Sequence, residues 1–233
     1  MKTRSTRPPK RERGIFIVLE GPDKSGKSTQ AALLTRALLD AGLKAIHTRE
    51  PGGTSVPFAE KIRELLLEPG NVVHPLSELL LYEAARVQHV EELVRPAVAK
   101  GAVVVCERFT LATVVYQGYA RGLDPALVRR LNRVAASGVR PDLTIVLDIP
   151  ESQFRKRDAR RSLDRLELET APFRKRVREG YRRAAKSEPK TVLLDGTAPK
   201  FVIHRDILDR VSRRTGLRIA PVPLEPNLVE SSP

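Results

Sequence analysis

The segment Gly21-Pro22-Asp23-Lys24-Ser25-Gly26-Lys27-Ser28-Thr29 follows directly on the apolar run Ile15-Phe16-Ile17-Val18-Leu19. It has the spacing of glycine, four residues, then Gly-Lys-Ser/Thr, and it has the setting that this spacing requires. The run before it reads as a buried strand, and Gln30 to Leu39 after it reads as a helix with an apolar stripe. The chemistry explains the pattern. Glycines let the backbone curl so that successive N–H groups point inward, and the N-terminus of the following helix adds positive potential. Lys27 would reach the β/γ-phosphates, and the Ser28 hydroxyl would ligate Mg2+. A plain glycine-rich turn would not need strand, loop and helix in this order, so residues 21–29 imply a nucleoside triphosphate as ligand.

The rest of the chain alternates strand-like and helix-like segments, the pattern of a parallel sheet covered by helices. Strands are expected at Gly14–Glu20, Lys44–Thr48, Ala102–Cys106, Leu143–Asp148 and Thr191–Asp195. Helices are expected at Ser28–Ala41, Pro57–Leu67, Ser77–Lys100, Pro125–Ser137, Ala171–Ala185 and Phe201–Thr215. Five parallel strands with right-handed crossovers put all their C-terminal ends on one edge, where ligands of open α/β sheets bind. The expectation is one α/β domain over residues 14–216, between a basic disordered arm (1–13) and a proline-rich irregular tail (217–233).

Composition narrows the class without choosing a function. Lys plus Arg number 42 against 28 Asp plus Glu, a net charge of +14 that suits polyphosphate ligands and nucleic acid equally. The single cysteine, Cys106, excludes an intramolecular disulfide and fits a reducing cytoplasm. Its place at the end of Val103-Val104-Val105 reads as a small buried hydrophobe. No run approaches the ~18 apolar residues of a membrane span, and the four histidines (47, 74, 89, 204) show no metal-ligand spacing.

The third expected strand runs into Glu107-Arg108. An apolar strand finishing in a carboxylate beside a phosphate-binding loop is how a phosphoryl-transfer site holds magnesium, and the adjacent arginine would meet a phosphate. With this pair, and with Thr48-Arg49-Glu50-Pro51-Gly52-Gly53-Thr54, Leu81-Tyr82-Glu83-Ala84-Ala85-Arg86 and Tyr116-Gln117-Gly118 in order along the chain, the sequence resembles the thymidylate kinase family from about Gly14 to about Thr215. The resemblance implies a three-layer P-loop NTPase fold with a mobile lid at about 155–167, and phosphorylation of dTMP to dTDP by MgATP. It also implies a homodimer, and no specific nucleic-acid partner is expected.

Carried over residue by residue, the resemblance implies that residues 21–29 hold ATP, with Lys27 and Arg108 catalytic and Mg2+ on Ser28 and Glu107. Tyr82 would stack on the thymine ring, Arg86 would donate to a base carbonyl, and Thr113 and Gln117 would complete the pyrimidine contacts. Arg63 and Arg108 would clamp the monophosphate, Asp23 would accept from the sugar 3′-hydroxyl, and Tyr116 would exclude a ribose 2′-hydroxyl. Glu50 and Pro51 would line the same site. Arg155, Lys156, Arg157, Arg160, Arg161 and Arg165 make the lid segment cationic. Family members carry the catalytic cation either in the phosphate loop or in the lid; this chain has Lys24 in the loop and a cationic lid as well. Arg160 or Arg161 is the expected catalytic cation, with Lys24 assisting.

Three positions depart from the family pattern: Glu107 stands for an aspartate, Ala112 for a hydroxyl residue beside the base, and Glu83 for a small residue. The extra methylene at Glu107 moves the carboxylate by about 1.5 Å, so Glu107→Asp is expected to retain or raise turnover. Two other readings stay open on the residues alone. One is a divergent nucleotide-binding module with weak or no turnover, supported by Glu107 and Ala112. The other is a basic NTPase acting on nucleic acid, supported by the charge and the N-terminal arm.

Overall fold

In the computed structural model, the described residues are 13–53, 55–156 and 164–220, the side chains of 155 and 156 excepted. The basic arm up to residue 12, the centre of the expected lid at 157–163 and the tail from 221 lie outside them. Five strands, β1 (Ile15–Glu20), β2 (Ala45–Arg49), β3 (Val103–Glu107), β4 (Leu143–Asp148) and β5 (Thr191–Asp195), form one sheet in the order β2-β3-β1-β4-β5. Every pairing is parallel.

Both faces of the sheet are covered at its centre, which is why β1, β3 and β4 read as near-continuous apolar runs, whereas the edge strands β2 and β5 are partly exposed. On one face Ile17, Leu19, Val105, Ile145 and Leu147 pack against α1 (Lys27–Asp40) and α9 (Lys200–Thr215) through Leu34, Leu38, Ile207 and Val211. Leu217 joins this core, with Ile219 packed beside it. On the other face Phe16, Val18, Val104 and Cys106 meet Val90, Val94 and Ala97, and Val146 meets Phe173, Val177 and Tyr181 of α8 (Ala171–Ser187). This is a three-layer α/β domain of the P-loop NTPase type.

The remaining helices are α2 (Pro57–Leu67), α3 (Pro75–His89), α4 (Arg95–Ala99), α5 (Thr110–Thr113), α6 (Pro125–Ala136) and α7 (Glu151–Lys156). The sequence predicts one helix over Ser77–Lys100, whereas α3 reaches α4 through a π-helical segment, Val90–Val94. Pro96 lacks the N–H that would bond to the carbonyl four residues back, and its ring crowds that carbonyl. The ladder widens instead, with Arg95 N–H donating to Val90. A second π-helical segment, Val114–Ala120, continues α5 and was not expected from the sequence. It is buried almost throughout and carries Tyr116 and Gln117 on the inner side.

His204 on α9 is 1% exposed, and neither ring nitrogen has a hydrogen-bond partner. Burial holds its pKa below the ordinary histidine value. A depressed folded-state pKa means that the unfolded chain binds the proton more readily. Stability is therefore present above about pH 6.5 and is lost as the pH falls toward the folded-state value. His204→Leu is expected to keep or raise the unfolding midpoint at pH 7.5 and to lessen its decline at pH 5.5. Thermal unfolding at the two pH values checks this, and an equal acid decline in both proteins would refute it.

Candidate active site

Strand β1 runs directly into the phosphate loop. Gly21 has φ +138°, and a Cβ there would lie 2.4 Å from the carbonyl oxygen of Leu147, so only glycine fits between β1 and β4. Gly26, at φ 95°, caps α1 without a side-chain hydrogen bond, and the first turn of α1 carries no acid. That helix end is left for an anion, whereas α6 and α8 are closed by the side chains of Asp124 and Thr170. Lys27 is buried and folds back over its own loop, with Nζ donating to Gly21 O at 3.1 Å and Pro22 O at 2.7 Å. Burial, with Arg108 nearby, lowers its pKa to about 8. A polyphosphate entering the loop would take over those bonds and favour the charged ammonium.

Pairing of β1 with β3 sets Leu19 opposite Glu107. Glu107 Oε2 accepts from the Ser28 hydroxyl at 2.6 Å, and Oε1 lies 2.9 Å from His47 Nε2. Burial pushes this carboxyl up, but the bonds to His47 and Ser28 outweigh it and keep the group below the usual range. Among the described residues no cluster of three or more His, Cys, Asp or Glu is placed to hold a metal. The Ser28–Glu107 pair nevertheless fits Mg2+, which prefers hard oxygens and takes one or two protein ligands with phosphate and water.

Arg108 sits in the left-handed region at φ 64°, a conformation that costs a non-glycine residue about 1 kcal/mol. Its neighbours hold it there: its own N–H donates to Leu19 O at 2.8 Å, and Phe109 N–H donates to Glu20 Oε1 at 2.8 Å. Glu20 is fully buried and accepts also from Ala112 N–H and from the Tyr181 hydroxyl. Burial raises its pKa more than Arg108 and these bonds lower it. The Arg108 guanidinium pairs with Asp23 and lies over the Tyr116 ring, 4.9 Å from its centre. Tyr116 donates its hydroxyl to the other Asp23 oxygen at 2.9 Å. Burial opposes ionisation of Asp23, but Arg108 and Lys27 prevail and hold its pKa below the ordinary value.

Beside this pair opens a cleft lined by Asp23, Glu50, Pro51, Arg63, Tyr82, Arg86, Arg108, Thr113, Tyr116 and Gln117. Phe109, Ala112 and Leu166 add apolar surface to it. Each residue expected to bind the acceptor nucleotide thus lies on one cleft, supplied by the phosphate loop, the β2–α2 loop, α2, α3, the β3–α5 junction, α5 and the second π-helical segment. Gly52 has φ +102°, and a Cβ on it would meet Glu60 Oε1 at 2.5 Å. Arg63 donates to Pro51 O at 3.0 Å.

Arg86 is 2% exposed and has every N–H committed: Nε to Glu50, Nη1 to Glu83 and Asn132, Nη2 to Phe109 O and Thr113 Oγ1. A base carbonyl could be contacted only by sharing or displacing one of these bonds. Glu83 thus enters as a buried partner of Arg86, with Oε1 left without a partner, and burial raises its pKa. Lys24 Nζ lies 4.7 Å from the centre of the Phe154 ring of α7. Arg160 and Arg161 are outside the described residues. Beyond them, Arg165 is anchored by bonds to Leu66 O at 2.7 Å and to Glu78 at 2.6 Å.

The residues that sequence reasoning did not single out are Glu20, His47, Glu78 and Tyr181. Glu78 is fully buried and accepts from Gln117, Arg121 and Arg165. A carboxylate closing an apolar strand, as Glu20 does, was a legible signal; the others depend on tertiary neighbours.

A phosphate loop, a carboxylate at the end of the adjacent strand and an arginine-bearing cleft beside them are the parts of a P-loop nucleoside-monophosphate kinase. A family model described as Thymidylate kinase matches residues 19–207. Thymidylate kinase of Thermoanaerobacter sp. (strain X514) is 44% identical over 202 residues, covering 86% of this chain and 98% of that protein. Thymidylate kinase of Pseudomonas fluorescens (strain SBW25) is 48% identical over 197 residues, covering 83% and 93%. The crystal structure of thymidylate kinase from Ehrlichia chaffeensis superposes with a TM-score of 0.68 at 30% identity, covering 84% of this chain and 97% of that one. The chain belongs to the thymidylate kinase family.

Glu20→Ala would leave two buried N–H groups and the Tyr181 hydroxyl without an acceptor, a loss of about 3 kcal/mol. Glu20→Gln retains an acceptor for the two amides and is expected to lose less than half as much. Urea midpoints at unchanged slope check the pair; equal stability of all three proteins would contradict the role given to Glu20.

Proposed function

We propose that the chain transfers the γ-phosphoryl group of MgATP to dTMP, giving dTDP and ADP. The observation that carries this reading is the single cleft joining Asp23 and Arg108 to Tyr82, Thr113 and Gln117 beside the phosphate loop. ATP would lie with its phosphates in residues 21–29, and Ser28 and Glu107 would hold Mg2+, which when bound neutralises the phosphate charge. Lys27 would leave its loop carbonyls for the β/γ-phosphates. Arg63 and Arg108 would aim the acceptor phosphate, and Asp23 would take the sugar 3′-hydroxyl. Positioning and fixed charge carry this class of reaction without a covalent intermediate.

The polarity of the cleft supports thymine as the base. The Gln117 NH2 group is committed to Glu78 at 2.8 Å, and Glu78 is kept ionised against its burial by bonds from Arg121 and Gln117. A glutamine so held offers its carbonyl to a ligand. Thr113 Oγ1 accepts from Arg86 at 2.9 Å and so keeps its proton to donate. One acceptor and one donor complement the N3–H and O4 of thymine, whereas cytosine carries an amino donor in place of O4. Tyr82 would stack on the ring, and Tyr116, bonded to Asp23, would fill the space of a 2′-hydroxyl.

A coupled assay of ADP release from MgATP with dTMP, dUMP, dCMP, AMP and GMP tests the reading. A dTMP-selective rate is expected. ATP binding without acceptor-dependent ADP release would favour the non-catalytic module instead. In the same assay Arg160→Ala or Arg161→Ala is expected to lose more turnover than Lys24→Ala; arginines of this kind contribute roughly 10³–10⁵ in rate. The reverse order would give the role to Lys24.

The proposal includes a cytoplasmic homodimer. Cys106 is alone and buried and needs no oxidising compartment, and among the described residues no helix is long and apolar enough to cross a membrane. Leu76, Leu80 and Val87 expose an apolar stripe along α3 at 39%, 50% and 42%. Leu80→Glu is expected to shift the protein from dimer to monomer in sedimentation velocity. A wild-type protein already monomeric at micromolar concentration would remove this part of the reading.

A further inference from the structure

Glu107 is held at both oxygens from two different elements. Ser28, in the first turn of α1, donates to Oε2 at 2.6 Å. His47, on the edge strand β2, faces Oε1 at 2.9 Å. Pairing of β2 with β3 aligns His47 with Val105 and Arg49 with Glu107. His47 and Glu107 are therefore diagonal neighbours on one face of the sheet, a separation that long side chains span. An ionised carboxylate only accepts, so the ring nitrogen facing it carries the proton and donates.

A glutamate has one more side-chain torsion than an aspartate and, unrestrained, would move its carboxylate among several rotamers. Ser28 alone fixes one oxygen and leaves the group free to turn about that bond. The bond from His47 removes this freedom, and it comes from a backbone paired to β3 itself. The side chains of His47 and Glu107 are 32% and 13% exposed, so the ring lies at the rim of the site rather than in the core.

We propose that His47 is a positioning residue for the magnesium end of the site, holding the long arm of Glu107 so that its carboxylate stays beside the Ser28 hydroxyl. The proposal rests on the reading that Ser28 and Glu107 hold Mg2+. His47 is not itself assigned as a ligand: its inward nitrogen is occupied by the carboxylate, and imidazole suits softer metals than Mg2+. The geometry also reverses the expectation that Glu107→Asp would retain or raise turnover. Shortening the arm by about 1.5 Å takes the carboxylate out of reach of a partner now 2.9 Å away.

The test is a Mg2+ titration of binding of a fluorescent ATP analogue to the full chain, alongside steady-state kinetics, for wild type, His47→Ala, His47→Gln, Glu107→Asp and the double variant His47→Ala/Glu107→Asp. His47→Ala is expected to raise the Mg2+ concentration for half-maximal effect about 10-fold, as loss of an outer-shell partner does, and to lower kcat. Nucleotide binding without Mg2+ and the KM for dTMP should stay within about twofold. His47→Gln, which keeps an N–H donor, should recover most of the loss. In the Glu107→Asp background, removing His47 should change nothing further, because coupled residues are not additive. A His47→Ala titration matching wild type, or a full His47→Ala loss persisting in the Glu107→Asp background, would overturn the proposal while leaving the kinase reading intact. A wild-type protein that binds the analogue with no response to Mg2+ would overturn the proposal together with the assignment of Mg2+ to Ser28 and Glu107; the kinase reading falls only if ADP release does not depend on an acceptor.

Discussion

The pairing of β1 with β3 governs the rest of the site. It sets Leu19 opposite Glu107, so the phosphate loop leaves one strand beside the point where Glu107 and Arg108 leave the other. Two further bonds tie the strand ends: Arg108 N–H to Leu19 O and Phe109 N–H to the buried Glu20 carboxylate. Arg108 is fixed on both sides in a backbone region that it would not occupy alone. Strain of this kind persists only where the surroundings over-determine it, and here they set the direction of the guanidinium that lines the cleft.

Around this point the chain keeps its charges in small neutralised groups. Arg108 is matched by Asp23, Arg86 by Glu50 and Glu83, Arg121 and Arg165 by Glu78, and Lys27 by carbonyl oxygens of its own loop. Buried ions cost free energy unless paired and hydrogen-bonded, so the protein holds its cations against internal partners. A phosphate entering the site would have to take these cations over from their internal partners, exchanging one set of contacts for another. The net charge of +14 thus overstates the positive potential available inside the site.

Much of this was legible in the sequence because its signals are local. The phosphate loop, the apolar runs of the central strands and the carboxylate after Cys106 need no knowledge of the fold, and Leu143–Asp148 and Thr191–Asp195 are strands at the expected residues. What escaped depends on neighbours far along the chain. His47 gains a role only because β2 lies beside β3. Glu78 looks like an ordinary acid in the first turn of a helix until Gln117, Arg121 and Arg165 close over it. The resemblance implies Arg86 as a donor to the base; that Asn132 and Glu83 accept from its Nη1 was revealed by no spacing. The widening of the helix at Val90–Val94 follows from Pro96, a visible residue whose effect on the ladder depends on the turn before it.

The Arg108–Asp23 pair makes acceptor binding, on the proposed reading, an exchange of one anion for another. The guanidinium is paired with Asp23, and the Asp23 oxygens are in turn held by Arg108 and Tyr116. An incoming monophosphate would compete for Arg108 and, in winning it, would release a carboxylate oxygen toward the sugar. A nucleoside without its phosphate brings nothing to displace Asp23, and so meets a site whose sugar acceptor is still engaged. On that reading the Arg108–Asp23 contact would itself favour a phosphorylated nucleoside over an unphosphorylated one.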